Sequence, residues 1–301
     1  MHLGNGIICP VTGIPMMVVT GIAAFYAYKK SKDEFTKDKI FPTIALSSLV
    51  FALQMINFSI PQVGSSGHII GGILLASLLG PYIAFLSICS ILLVQSVFFA
   101  DGGLLALGCN IFNMSFVSCF IVYPLLYKPL SDKNKPVLGA VLSSIIALEL
   151  GAFSVVAEAI LSGSVTGNLL MFMGLMQGIH LIIGIVEGGI TGGIILLAKH
   201  LERKKLSFIF AGTAVILGGF IAKYASTKPD GLEWSLLSIS DCVNSQTQYV
   251  LYNIFETIQA KSAIFASMPS LIGNLAGIAV LSMIMYCICK MLSFKMVSNE
   301  Q

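Results

Sequence analysis

The stretch GHIIGGILLASLLGPYIAFLSICSILLVQSVFFADGG, residues 67–103, decides how the chain is threaded. It is apolar almost throughout, yet it is broken at Gly80-Pro81. A proline inside a helix removes a backbone hydrogen bond and crowds the preceding turn, so Gly80-Pro81 reads as the end of a first, short helix. About 20 helical residues cross the roughly 30 Å of hydrocarbon in a bilayer. The segment therefore reads as two spans, 67–80 and 81–100, the first so short that it needs shielding by neighbours or an incomplete crossing.

Working outward, seven further runs are long enough to span, giving about nine in all: 10–28, 40–58, 67–80, 81–100, 103–127, 137–161, 169–197, 207–223 and 267–289. The composition agrees. Of 301 residues, 56% are hydrophobic and only 10% charged, with a mean hydropathy of +0.91. A soluble domain carries about 25% charged residues. The expected fold class is an all-α integral membrane protein, multi-pass in the cell (plasma) membrane, with lipid as its main solvent. The net charge of +3 gives no footing for nucleic acid. Seven scattered cysteines without a CxxC pair argue against a disulfide framework or a zinc knuckle.

Orientation follows from the basic residues. With the N-terminus outside and the C-terminus inside, the inside loops and tail hold fourteen of the 17 Lys and Arg residues, Lys290 and Lys295 among them. Lys223, Lys228 and Lys261 remain outside. This needs an odd number of crossings between residues 60 and 128, which the two-span reading of 67–100 supplies. The basic stretch KHLERKK (199–205) marks a seam between a main unit, 1–206, and a two-helix unit, 207–301, whose outside loop covers 224–266 and contains KPDGLEWS (228–235).

The candidate chemistry gathers on the outside. The chain opens MHLGNG, with no basic residue before Lys29, so it lacks the n-region of a signal peptide and Met1 is expected to remain the N-terminus. A free α-amine, the deprotonated amide that follows it and the His2 imidazole can hold one metal ion through three nitrogens in a plane. A second imidazole would complete a tetragonal four-nitrogen set suited to Ni(II) or Cu(II). His68, in PQVGSSGHIIGG (61–72), lies on the same side. Ser65 or Ser66 could cap the helix after it, and Gly67, Gly71 and Gly72 permit close approach of another segment. FFADGGLLALGCNIFNM (98–114) adds Asp101 in the outer turn and Asn110 and Asn113 a turn apart. With Asn57 these could steady the imidazoles, or simply hydrogen-bond between helices.

Inside the spans, His180 and Glu187 fall on one helix face, and Glu158 lies near an outer end. Buried ionisable groups suggest an ion or proton relay, or else a structural pair. The spacing of Gly184, Gly188 and Gly192 favours close helix packing there. Ala23 and Ala27 have similar spacing and are a candidate contact for a partner subunit. There is no GxxxxGK[ST], HExxH or GxSxG, so ATP hydrolysis by a P-loop, zincin-type proteolysis and α/β-hydrolase chemistry find no support.

Met1-His2, QMINF (54–58), SSGHIIGG (65–72), LLGP (78–81), FFADGGLLALGCNIFNM (98–114) and HLIIGIVEG (180–188) together resemble the CbiM/NikM family, the substrate-capture (S) components of energy-coupling factor (ECF) transporters for cobalt and nickel. The resemblance covers about residues 1–197; PDGLEW (229–234) is similar to the small CbiN/NikN-type PDGLE subunit, here fused at the C-terminus. It implies metal ligation by Met1, His2 and His68, with the ion as substrate and no resident cofactor. It also implies a transmembrane coupling (T) subunit and cytoplasmic ATPase subunits, making this chain a transporter subunit rather than an enzyme. The chain departs from many relatives in carrying Gly4-Asn5 where they carry an acidic residue. Two rivals remain: an ion-coupled secondary metal carrier using His180, Glu187 and Glu158, and a membrane enzyme with His68 and His180 around a catalytic water.

Overall fold

The computed structural model describes residues 1–240 and 243–294, apart from the side chains of residues 33 and 34; Asp241, Cys242 and Lys295 lie outside the described residues. The described chain is a helical bundle. In order come α1 (Pro10–Glu34), α2 (Ile40–Gln54), the strands β1 (Phe58–Ser59) and β2 (Ser66–Gly67), and α3 (Gly72–Leu79). Then follow α4 (Pro81–Phe99), α5 (Leu107–Asp132), α6 (Pro136–Leu161), α7 (Leu169–His200) and α8 (Arg203–Tyr224). The last elements are α9 (Gly231–Ser238), α10 (Val250–Ser262) and α11 (Ser270–Ser293).

Each of the nine expected apolar segments contains a helix, and seven described helices (α1, α4 to α8 and α11) are long and apolar enough to cross a membrane. The other two are α2, with 15 residues, and α3, with eight. At 1.5 Å per residue they reach only about 22 and 12 Å. Both sit inside the bundle: the first five residues of α3 and most of α2 are buried. Their backbone ends therefore face protein rather than lipid, the condition under which a short helix is tolerated at membrane depth. Gly80, at φ 85°, supplies the left-handed corner that lets Pro81 start α4.

The tightest seam joins α6 and α7. A methyl on Gly188 would sit 2.7 Å from Val141 Cα, and one on Gly184 would sit 2.9 Å from Ile145 Cα. Small residues here let two backbones touch, which is how helices gain packing energy in lipid. Ala23 and Ala27 are buried in the protein's own core, so they are not an open seat for a coupling subunit. The open apolar face of α1 is instead formed by Val11, Val18, Ile22 and Phe25.

The C-terminal helices are not a separate appendage. Both α8 and α11 pack on α2, and a methyl on Gly277 would meet Phe51 and Phe99 at 2.7 Å. Between them, residues 224–266 carry α9 and α10 across the end of the bundle where the N-terminus enters.

Candidate metal centre

The first residues enter the bundle and are held there. Met1 is 3% exposed and Leu3 not at all. Asn110, at the start of α5, grips Leu3 from both sides: Leu3 N–H donates to its Oδ1 at 2.8 Å, and its Nδ2 donates to the Leu3 carbonyl at 3.1 Å. Gly103 N–H adds a bond to the same carbonyl at 2.8 Å. Two residues on, Asn5 donates to Glu256 and Gln259 of α10, at 2.8 and 2.6 Å, and accepts from Leu105 N–H at 2.8 Å. Gln259 Nε2 in turn donates to the carbonyls of Ser96 and Gly102 at 3.0 and 2.7 Å. The Leu3 backbone and the Asn5 side chain are thus held by α5, α10 and the 102–105 turn, as buried polar groups require.

His68 arrives from the other side. Strands β1 and β2 pair antiparallel, Phe58 opposite Gly67 and Ser59 opposite Ser66. Ser66 caps no helix: α3 starts from Gly71 in the left-handed region, at φ 77°. The N–H groups at that start go to Glu187, whose carboxyl oxygens accept from Ile70 and Gly71 at 2.7 and 3.1 Å, an acidic side chain at a helix N-terminus. Ser66 instead binds the C-terminal unit. Its N–H donates to the Pro229 carbonyl at 2.8 Å and its hydroxyl to the Lys228 carbonyl at 2.8 Å. The same alignment brings Asp230 beside it as a parallel bridge. Gly67 has no room for a side chain, since a methyl there would lie 2.5 Å from Ile183 Cδ1.

These segments converge. The His2 and His68 rings lie with centroids 4.9 Å apart. The Met1 α-amine is 3.1 Å from Asp230 Oδ2. His2 Nδ1 is 3.5 Å from Asp101 Oδ1. One donor atom each from His2, His68 and Asp230 fall within 4.8 Å of one another, and His2 Nε2 is buried without a hydrogen bond. Burial, then the Met1 ammonium, depresses His2 to about 4, with Asp230 and Gln95 acting weakly the other way. Burial, then His2, depresses His68 to about 3. Both imidazoles are therefore held neutral, the state in which they ligate metals. Burial raises Asp101. Burial would also raise Asp230, but the Met1 ammonium, the Glu233 N–H and His68 outweigh it and hold that carboxyl well below its usual range. A cavity of about 1080 Å³ opens onto His2, His68, Asp101 and Asp230, with Asn57, Glu233 and Glu256 also on its walls.

Several expected neighbours do other work. Asn113 bonds Glu158 at 2.7 Å rather than an imidazole. Asn110 steadies the tip's backbone, not a ring. The Asn57 carbonyl accepts from Ser226 N–H at 2.7 Å. His180 lies behind the site, its Nδ1 2.7 Å from the Met176 carbonyl of its own helix. No ion pair joins His180 and Glu187 among the described residues. Sequence reasoning missed two contributors, Asp230 and Gln259. For Asp230 the available signal was KPDGLEWS itself, an acidic helix-start motif in the loop between the last two spans of a chain lacking an acid at Gly4-Asn5.

Residues 2–205 match the family described as cobalt uptake substrate-specific transmembrane region, CbiM. The chain belongs to the CbiM family. Residues 204–293 match the PDGLE domain, so this member has a fused CbiM–PDGLE architecture. A provisionally named fused nickel transport protein NikMN of Archaeoglobus fulgidus is 32% identical over 196 residues, 65% of this chain and 64% of that protein. The fused nickel transport protein NikMN of Rhodobacter capsulatus is 35% identical over 118 residues, 39% of this chain and 33% of that protein. Both matches span less than two thirds of the relative's own length. A crystal structure of a truncated transition metal transporter superposes with a TM-score of 0.60 at 33% identity, covering 67% of this chain and 100% of that one.

Proposed function

We propose that this CbiM-family chain captures one divalent transition metal ion, Ni(II) or Co(II), at the outer face of the cell membrane. It would then deliver the ion inward as the substrate-binding subunit of an ATP-driven ECF transporter. The ion would be held by the Met1 amine, the deprotonated His2 amide, the His2 imidazole and His68. The observation that carries this reading is the 4.9 Å approach of the His2 and His68 rings beside a buried α-amine. Nothing about bundle packing demands that a chain bury its own N-terminal amine, since a buried charge costs free energy unless it is partnered. Ligation would release two protons, one from the ammonium and one from the amide, making capture pH-dependent.

The absence of a P-loop motif in the sequence fits ATPase subunits on separate chains, with a coupling subunit seated against the lipid-facing helices. Names given to the relatives, nickel transport protein and transition metal transporter, support metal as the cargo. The carrier alternative loses support because both carboxylate oxygens of Glu187 are engaged at the start of α3. The test is titration of protein with a free N-terminus against Ni(II) and Co(II). One equivalent bound, and none after Nα-acetylation, is the expected result. Unchanged binding after acetylation overturns the reading.

A further inference from the structure

Resting on that reading, we propose that Asp230 of the PDGLE stretch is a fifth donor to the captured ion, through Oδ2, so that the C-terminal unit completes the metal's coordination sphere. Three observations lead there. First, Asp230 Oδ2 lies 3.1 Å from the Met1 α-amine. Two donors at right angles on an ion with bonds of about 2.1 Å are separated by about 3 Å. The carboxylate oxygen already stands at the spacing of a neighbouring ligand. One oxygen of this carboxylate also lies within 4.8 Å of a ring nitrogen of both His2 and His68.

Second, the two carboxylate oxygens are divided between tasks. Oδ1 accepts the Glu233 N–H at 2.8 Å and caps α9, which fixes the direction of the side chain. Oδ2 is left facing the amine. The backbone around it is pinned by the bonds from Ser66 to Lys228 and Pro229, so the carboxylate is aimed by structure rather than by solvent.

Third, the charges balance in both states. Without the ion, the Met1 ammonium and the Asp230 carboxylate neutralise each other. With it, the ammonium and the His2 amide each give a proton to water, and a dication meets one amide anion and one carboxylate. The buried site is neutral either way, which avoids the cost of an uncompensated buried charge. Four nitrogens alone would leave Asp230 only a hydrogen bond from the bound amine in place of the ion pair. A fifth, oxygen donor also suits Co(II), which is less content than Ni(II) with a bare plane, so Asp230 sets the preference between the two.

The test compares the full wild-type chain with Asp230→Asn and Asp230→Ser. Both replacements cap a helix well, so α9 should survive. Each protein, its N-terminus free, is loaded with Ni(II) and read by nickel K-edge absorption, and the Co(II) and Ni(II) affinities are measured alongside. Five near neighbours in the wild type are expected. The sharp pre-edge feature of a planar ion should appear only in the variants. Co(II) affinity should fall by about 10–100-fold, and Ni(II) affinity by less. A planar ion already present in the wild type, with the same spectrum and metal preference in both variants, overturns the role of Asp230 while leaving capture intact. Failure of the folded wild type to bind either metal overturns the capture reading itself.

Discussion

The α-amine of Met1 and the carboxylate of Asp230 form a partly buried ion pair at 3.1 Å, joining the N-terminal residue to the PDGLE motif. The same end of the bundle is tied again by Asn5 to Gln259 and by Ser66 to Lys228. The PDGLE unit is thus part of the wall around the candidate centre, and changes in either unit should be felt in the other.

Asn110 is expected to matter through the backbone. Asn110→Ala leaves the Leu3 N–H buried without a partner, at a cost of about 1–3 kcal/mol, while the Leu3 carbonyl keeps Gly103. Metal affinity should fall about 10–100-fold, as for loss of an outer support, with the stoichiometry unchanged. Isothermal titration checks this; unchanged affinity would show that the grip on Leu3 does not position the donors.

His68 and His180 should separate cleanly. His180 is engaged with Met176 of its own helix, whereas His68 faces His2 across 4.9 Å. His68→Ala should abolish binding, and His180→Ala should retain it within about tenfold, the low end for a supporting residue. Equal losses would instead favour a site built on His180.

Acid should loosen the metal-free protein. The folded state holds His2 and His68 at about 4 and about 3, against an ordinary value of 6.5. Between those values the unfolded chain binds more protons, so stability rises with pH. It is fully present above about 6.5 and is lost as pH falls towards 4. Thermal unfolding between pH 7 and 4.5 should show a falling midpoint, and His68→Asn should flatten the dependence. A midpoint indifferent to pH would contradict neutral, buried imidazoles.

The seam between α6 and α7 offers a paired test. A methyl on Gly188 would lie 2.7 Å from Val141 Cα, while one on neighbouring Gly189 meets nothing within 4 Å. Gly188→Ala should destabilise by about 1–3 kcal/mol through overpacking. Gly189→Ala should be neutral or slightly stabilising, since Ala is the better helix former. Similar melting behaviour for both would mean the two helices part easily.

Much of this was legible because lipid simplifies the code. Apolar length and the break at Gly80-Pro81 marked the apolar helices in order, but not α9 and α10, which the expected loop 224–266 carries. Length alone could not say that α2 and α3 are enclosed by neighbours, because an apolar side chain reads the same whether it faces lipid or protein. The meeting of Met1, His2 and His68 could be anticipated from donor chemistry and the side of the membrane. The partners of Asn113, Ser66 and Glu187 could not, since each depends on where a distant backbone group happens to end. Asp230 was hidden for a related reason: as the cap of α9 it has a sufficient local explanation, and its second oxygen shows its partner only in three dimensions.

The most direct test of the central claim is metal titration of the full chain with a free Met1, before and after chemical acetylation of the α-amine, with folding followed by thermal unfolding. The account predicts one equivalent of Ni(II) or Co(II) before acetylation and none after, in a protein that still unfolds cooperatively. Binding that survives acetylation, with His68→Ala equally competent, would contradict it.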